Sequence, residues 1–413
     1  MKRLLFSILI LILLLFVGYH VLSMWKGLTL YQENLSRESL LKAIQINPSY
    51  SDPYYKLGLF YQWEIRNINP QESLNYLLMA IKRNPLEQEY WLNLSKIYRR
   101  MGEVSASERA LKNAILVFPT SYQGRWVSGN LFLQEGAIEK ALPHFSYILM
   151  NYPNQSHLVY DVLTRAINDL EYILDQIVPR DPFSFRQFLS YVYERGDQEW
   201  VRKVWMRRES FGFKADRKTT LQYVDFLIAH QELGEAFQVW KARLHEEGKA
   251  IPSDNNLITN GGFEEEKILG GGFDWKISEP TGARISLDPS TAFEGKGSLK
   301  IVFNGKENVN FQHVHQFVPL KPDTEYMLKA RLKTQAITTK SGLKIEVLGI
   351  GSPFHKTSES LIGDHPWTEL EILFRTPPQL QGGMVRVRRE KTDKFDRFIG
   401  GTVWIDHVRL LEK

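Results

Sequence analysis

The sequence predicts a multidomain chain, α first and β after: an N-terminal transmembrane helix, an α-solenoid of helical hairpins, and a C-terminal antiparallel β-sandwich. Three observations predict it. "LLFSILILILLLFVGYHVLSMW", Leu4 to Trp25, is an unbroken apolar stretch. Four prolines, Pro48, Pro85, Pro119 and Pro153, follow one another at intervals of 37, 34 and 34 residues. Beyond Asn256 the apolar spacing changes from three or four residues to two. The boundaries drawn are 1–26 for the anchor, 27–249 for the helical repeats, 250–255 for a linker and 256–413 for the sandwich.

At 1.5 Å per residue, the stretch from Leu4 to Trp25 reaches roughly 30 Å, the thickness of a hydrocarbon core. Lys2 and Arg3 then stay in the cytoplasm, and Tyr19 and Trp25 sit near the far interface. A cleaved signal peptide is the alternative, although the stretch is long and no convincing small-x-small site follows it. Both readings put residues from about 27 onward outside the cytoplasm. The expectation is a bacterial inner-membrane protein, crossing once through residues 4–25, with 27–413 in the periplasm. The 413 residues exceed what one core usually serves. Cysteine is absent, which removes disulfides, thiolate metal sites, cysteine nucleophiles and a lipid-bearing cysteine anchor. The net charge of +5 is spread thinly and argues against a nucleic-acid partner.

Between the prolines a pattern recurs. "YYKLGLFY" (Tyr54 to Tyr61), "YWLNLSKIY" (Tyr90 to Tyr98) and "RWVSGNLFL" (Arg125 to Leu133) open the units. Gly102 and Gly136 follow, and then the small residues Ala106, Ala110 and Ala141. Glycine ends a first helix in a left-handed turn, alanine lets two helices approach, and proline stops the second helix. "WEIRNINPQES" (Trp63 to Ser73) makes the first interval longer, as a longer inter-helix turn. This pattern resembles the tetratricopeptide repeat. The resemblance implies hairpins stacked into a curved array, with a protein partner on its concave face. "FSFRQFLSYVYERGDQEWVRKVWMRR" (Phe183 to Arg208) and "TTLQYVDFLIAHQELGEAFQVWKARL" (Thr219 to Leu244) read as two divergent hairpins. Trp200 and Trp240 in them read as packing.

From Asn256 onward, "GSLKIVF", "EYMLKARLKT", "GLKIEVLGI", "TELEILFRT", "MVRVRRE" and "GTVWIDHVRLL" alternate as strands, separated by "KPDT", "TKSG", "GDHP" and "TPPQLQGG". The order "NLITNGGFEEE", "GFDWKI", "AFEGKGSLKI", "VPLKPDTEYMLKARLKT", "VWIDHVRL" resembles the jelly-roll carbohydrate-binding modules of the galactose-binding-like superfamily. The resemblance implies first and last segments that lie side by side and share a structural calcium ion. Glu264 and Asp406 would supply carboxylates; Gly262 and the loop Thr291–Ser298 would supply carbonyls. The alternative is that both carboxylates cap turns.

Jelly rolls of this kind hold sugars on aromatic rings, with amides, histidines and arginines on the hydroxyls. The candidates are Phe311, His313, His315, Trp275, Trp367, Arg386 and Arg388. Alternation along "NVNFQHVHQFVPL" puts Phe311, His313, His315 and Phe317 on one face. Phe317 and Trp404 also read as core. Trp275 and Trp367 read equally as core lids. His313 and His315 stand at a zinc-ligand spacing, with no third ligand assigned. "RVRREKTDKFDRF" (Arg386 to Phe398) reads as a solvated loop.

No phosphate loop, nucleophile elbow or metalloprotease helix motif is present, and no pair of glutamates stands out as catalytic. The expectation is a chain without enzyme activity: an adaptor holding a protein through its repeats and a glycan through its jelly roll, in cell-surface polysaccharide assembly or export. The alternative is a protein-only scaffold with a structural jelly roll.

Overall fold

The computed structural model describes residues 2–32, 36–249 and 256–413. The expected linker, 250–255, lies outside them. Among the described residues, fourteen α-helices precede ten β-strands. α1 (Lys2–Gln32) carries the apolar stretch. Its segment Phe6–Lys26, of mean hydropathy 2.4, is long and apolar enough to cross a bilayer, and the same properties suit a signal sequence. The chain divides into two compact units, Met1–Val204 and Trp205–Lys413.

In the first unit, α2 (Arg37–Ile46) packs on α1. Three hairpins follow: α3 (Asp52–Trp63) with α4 (Pro70–Arg83), α5 (Gln88–Arg100) with α6 (Val104–Val117), and α7 (Tyr122–Gln134) with α8 (Ile138–Asn151). Gly102 and Gly136 end α5 and α7 at φ +80° and +71°. There the Glu103 N–H donates to Tyr98 O and the Ala137 N–H to Phe132 O, each at 2.9 Å, so the last carbonyls of each helix are satisfied. Each periodic proline sits two residues beyond the end of α2, α4, α6 or α8, where a helix can no longer continue. Ala110 and Ala141 are buried at the close approaches. A short 3-10 turn, Ile65–Asn67, fills the longer first connection. The period fades in α9 (Ser156–Ala166) and the seven-residue α10 (Leu170–Gln176). It returns in α11 (Pro182–Arg195), and α12 (Gln198–Ser210) follows.

The second unit holds α13 (Arg217–Ala229), α14 (Leu233–Glu246) and all the strands. Its helical hairpin shares a core with the loop that enters the sandwich. The Phe273 ring lies 5.0 Å from that of Phe237 and 5.8 Å from that of Trp240, which is fully buried. Gly272 has φ +58°, and a Cβ there would stand 2.6 Å from Trp240 Cδ1. Backbone and indole meet because residue 272 has no side chain. That packing explains why the division falls ahead of the change from helix to strand.

The strands form two five-stranded antiparallel sheets packed face to face. The first runs in the order β1 (Lys276–Ile277), β4 (Phe311–Val318), β9 (Gly383–Arg389), β6 (Lys344–Gly349), β7 (His355–Thr357). The second runs β2 (Ala283–Asp288), β3 (Ser298–Asn304), β10 (Gly400–Glu412), β5 (Glu325–Gln335), β8 (His365–Arg375). Leu299, Ile301, Leu328, Leu332, Val385 and Ile405 are among the residues filling the space between them. Gln316, turned inward and fully buried, accepts from the Thr259 N–H and donates to Thr259 O, both at 2.9 Å. The entry segment is thereby clamped to β4.

Candidate functional site

Cross-strand pairing sets Lys276, His315, Arg386 and Glu346 in one row on the outer face of the first sheet. The Glu346 carboxylate is fully buried there. The Arg386 guanidinium donates to it, His355 Nε2 bonds it at 2.6 Å, and Arg388 Nε stands 3.7 Å away. A buried carboxylate needs such partners, and together they fix the rotamers of both arginines. Arg386 also donates to Gln312 Oε1 at 3.1 Å, and Arg388 to Phe311 O at 3.2 Å. Phe317 extends the row, its ring edge-on to His315 at 6.0 Å. Burial pushes His313 and His315 below the ordinary histidine range, and Lys276 and Arg386 push His315 further the same way. Both imidazoles are therefore neutral near pH 7 and can donate and accept at once.

His315 also lines a cavity of about 720 Å³ between the edge strands β1 and β2. Trp275, Phe263, Ile277 and Leu287 give it an apolar wall, and Glu265, Glu266 and Lys276 a polar rim. Its size falls within the range of ligand pockets, roughly 300–1,000 Å³.

The expected face of β4 is corrected at one residue. Phe311 is fully buried in the sandwich core, while His313, His315 and Phe317 point outward. A β-bulge against β9, between Phe311 and Val314, inserts one residue and reverses the alternation upstream of it. Phe311 therefore packs edge-on to Phe303 at 5.6 Å and offers no ring to a ligand. Trp275 is nearly buried too: it lies over Phe263 at 5.1 Å and donates to Asn260 O at 3.1 Å. Trp367 sits on the second sheet, beside Phe293 at 6.1 Å, and is not part of the row. Trp404 is buried on the outer side of that same sheet, between Lys300 and Lys333, and donates to Asp288 at 2.8 Å. In the loop expected to be solvated, Arg389 turns inward and holds Asn308, Val309 and Arg397. The sequence reading missed Glu346 as a site residue, while His355, noted near a loop, joins the row through that carboxylate.

Glu264 and Asp406 do converge. A Cβ on Gly262 would lie 3.6 Å from Glu264 Oε1 and 3.7 Å from Asp406 Oδ1. The Val408 N–H donates to Gly261 O at 2.8 Å and the Leu257 N–H to Leu410 O at 2.9 Å, so first and last segments lie side by side. Asp406 is fully buried and accepts from the amides of Phe293, Glu294 and His407. Glu264 accepts from the Lys296 amide at 2.9 Å. Burial raises the Asp406 carboxyl above its ordinary range, and Glu264 adds to the rise. Three non-glycine residues, Asn260, Phe263 and His407, carry positive φ around this spot. Such strain collects where a structure holds a ligand or a tight junction. Thr291 O, in the loop expected to supply carbonyls, accepts from Ser298 Oγ at 2.6 Å. Among the described residues no group of three or more His, Asp or Glu side chains is placed to hold a metal ion. A cation here would rest on two carboxylates and backbone oxygen.

No family model matches the chain. Three curated relatives do. The tRNA(Glu)-specific nuclease WapA of Bacillus subtilis subsp. natto (strain BEST195) is 26% identical over 171 residues, 39% of this chain and 7% of that protein. The tRNA nuclease WapA of Bacillus subtilis (strain 168) is 25% identical over the same lengths. The chain thus spans about 7% of the length of the curated relatives it matches. Among solved structures, a family 16 carbohydrate-binding module is 23% identical, covers 38% of this chain and all of its own, and scores a TM of 0.27. The CBM22-1 xylan-binding domain of Paenibacillus barcinonensis Xyn10C is 16% identical, covers 40% and 97%, and scores 0.29. MamA is 21% identical, covers 32% and 78%, and scores 0.28. The expectation of a chain without enzyme activity is overturned by the curated relatives, whose names record nuclease activity on tRNA.

Proposed function

We propose that the sandwich binds a glycan on the outer face of its first sheet, while the tetratricopeptide-like hairpins hold a protein partner. α1 keeps both at a bacterial inner membrane, on its periplasmic side, in the assembly or export of a cell-surface polysaccharide. The observation that carries this reading is the row Lys276, His315, Arg386 and Glu346, flanked by Phe317 and opening into the cavity under Trp275. Sugars present hydroxyl groups in pairs and apolar C–H faces. Fixed guanidinium forks and neutral imidazoles match the first, and a half-exposed phenyl ring the second. Glu264 and Asp406, which accept from the amides of residues 293, 294 and 296, would hold a structural calcium ion and so fix that loop. The test is a glycan array probed with the full chain. Binding that disappears on Arg386→Ala, with the circular dichroism unchanged, agrees with the reading. An array with no bound glycan, in calcium or in chelator, overturns it.

The curated relatives favour a second reading, catalysis on tRNA. Its test is incubation of the full chain with total tRNA, with and without a divalent cation. Discrete cleavage products support it, and intact tRNA counts against it.

A further inference from the structure

We propose that the row of proline turns along the helical array lies on the bilayer surface, as a second membrane contact beside α1. The proposal rests on the reading of α1 as a retained anchor. Hydrogen bonds tie the turns to α1 and to one another. Ser23 Oγ, in the apolar span, donates to Ile46 O at 2.9 Å, just ahead of the first turn. Arg83 Nε donates back to Pro48 O at 2.6 Å, which joins the second turn to the first. Gln88 Nε2 donates to Phe118 O at 3.1 Å, which joins the third to the second. The Tyr152 hydroxyl donates to Thr120 O and joins the fourth to the third. The turns around Pro48, Pro85, Pro119 and Pro153 therefore form one continuous rim.

The depth of this rim follows from α1. The span ends at Lys26, and Ser23 lies three residues before it, about 4.5 Å along the helix axis. α1 continues to Gln32, and α2 runs back to Ile46 beside Ser23. The first turn is thus returned to the level at which α1 enters the bilayer. The composition of the rim suits that level. Leu86, Leu116, Phe118 and Met150, all within three residues of a rim proline, are 77%, 66%, 54% and 60% exposed. Tyr50, Trp91, Tyr122 and Tyr152, partly exposed, stand on the same edge. Aromatic rings with a polar atom gather at the membrane–water interface, and exposed apolar side chains bind there by burial among acyl chains. The opposite edge also carries exposed apolar residues, Trp63, Ile65 and Ile68. It lies a helix length away, about 18 Å for the twelve residues of α3, on the side that α1 reaches only after leaving the span. The Ser23 bond selects the proline edge as the one that meets lipid.

The chain has no cysteine, so single cysteines can report position. The full chain carrying Trp25→Cys, Leu86→Cys, Phe118→Cys or Ile65→Cys is labelled with a nitrobenzoxadiazole dye. Each is reconstituted in phosphatidylcholine–phosphatidylglycerol vesicles, with and without phosphatidylcholine bearing a headgroup nitroxide. The proposal expects quenching at 25, 86 and 118, and undiminished fluorescence at 65. Quenching at 25 with none at 86 and 118 overturns it while α1 remains an anchor, and a protein covering the rim gives that same result. Quenching at 65 equal to that at 86 overturns the choice of edge. No quenching at 25 removes the anchor, and this proposal with it.

Discussion

Phe311 and Phe317 stand on one strand and face opposite ways. Phe311→Ala empties a place in the core and should cost about 3–5 kcal/mol in urea unfolding, as large-to-small core changes do. Phe317→Ala should cost well under that and act on ligand binding instead; equal losses at both positions contradict the faces assigned. Glu346→Ala leaves Arg386, Arg388 and His355 without their shared carboxylate and should destabilise by about 3–5 kcal/mol. Asp288 is held well below the usual carboxylate range by Ser290 and then Trp404. Its folded pKa is depressed, so the stability it contributes is full above its unfolded value, about 3.9, and is lost as pH falls below it. The stability gap between wild type and Asp288→Asn should therefore narrow from pH 6 to pH 3, and a constant gap counts against the assigned hydrogen bonds. The sequence disclosed some of these residues and hid others. The Glu264–Asp406 meeting was legible from motif order. Phe311 misled because a bulge leaves no mark in an alternating pattern. Glu346 was hidden because a strand glutamate reads as surface until its partners, forty residues away and nine away, are folded over it.

Among the elements, the hairpins were the most legible, since proline two residues past a helix end and glycine in a left-handed turn are local requirements. The bond between α13–α14 and the sandwich was not legible, because Trp240 in a helical pattern looks the same whether it faces another helix or a loop. Gly272→Ala forces a Cβ against that indole at positive φ. It should lower the unfolding midpoint of the second unit and leave the first unit's unchanged, as read by calorimetry. A fragment of residues 205–413 should unfold at a higher temperature than one of 256–413, which bares Phe273 to water. Equal midpoints contradict the shared core.

For the whole molecule, the two converging carboxylates and the sheet row act in different ways. Calcium at a hundredfold excess over its dissociation constant should add about 2.7 kcal/mol to folding, removed by chelator or by Glu264→Ala. A melting curve indifferent to both denies the cation. Glycan recognition by the first sheet is the central claim, and the most direct test of it is calorimetric titration of an array-selected glycan into wild type, Phe317→Ala and Trp367→Ala. Heat should vanish for Phe317→Ala and persist for Trp367→Ala, which lies on the other sheet. Heat that persists in the first and vanishes in the second contradicts it.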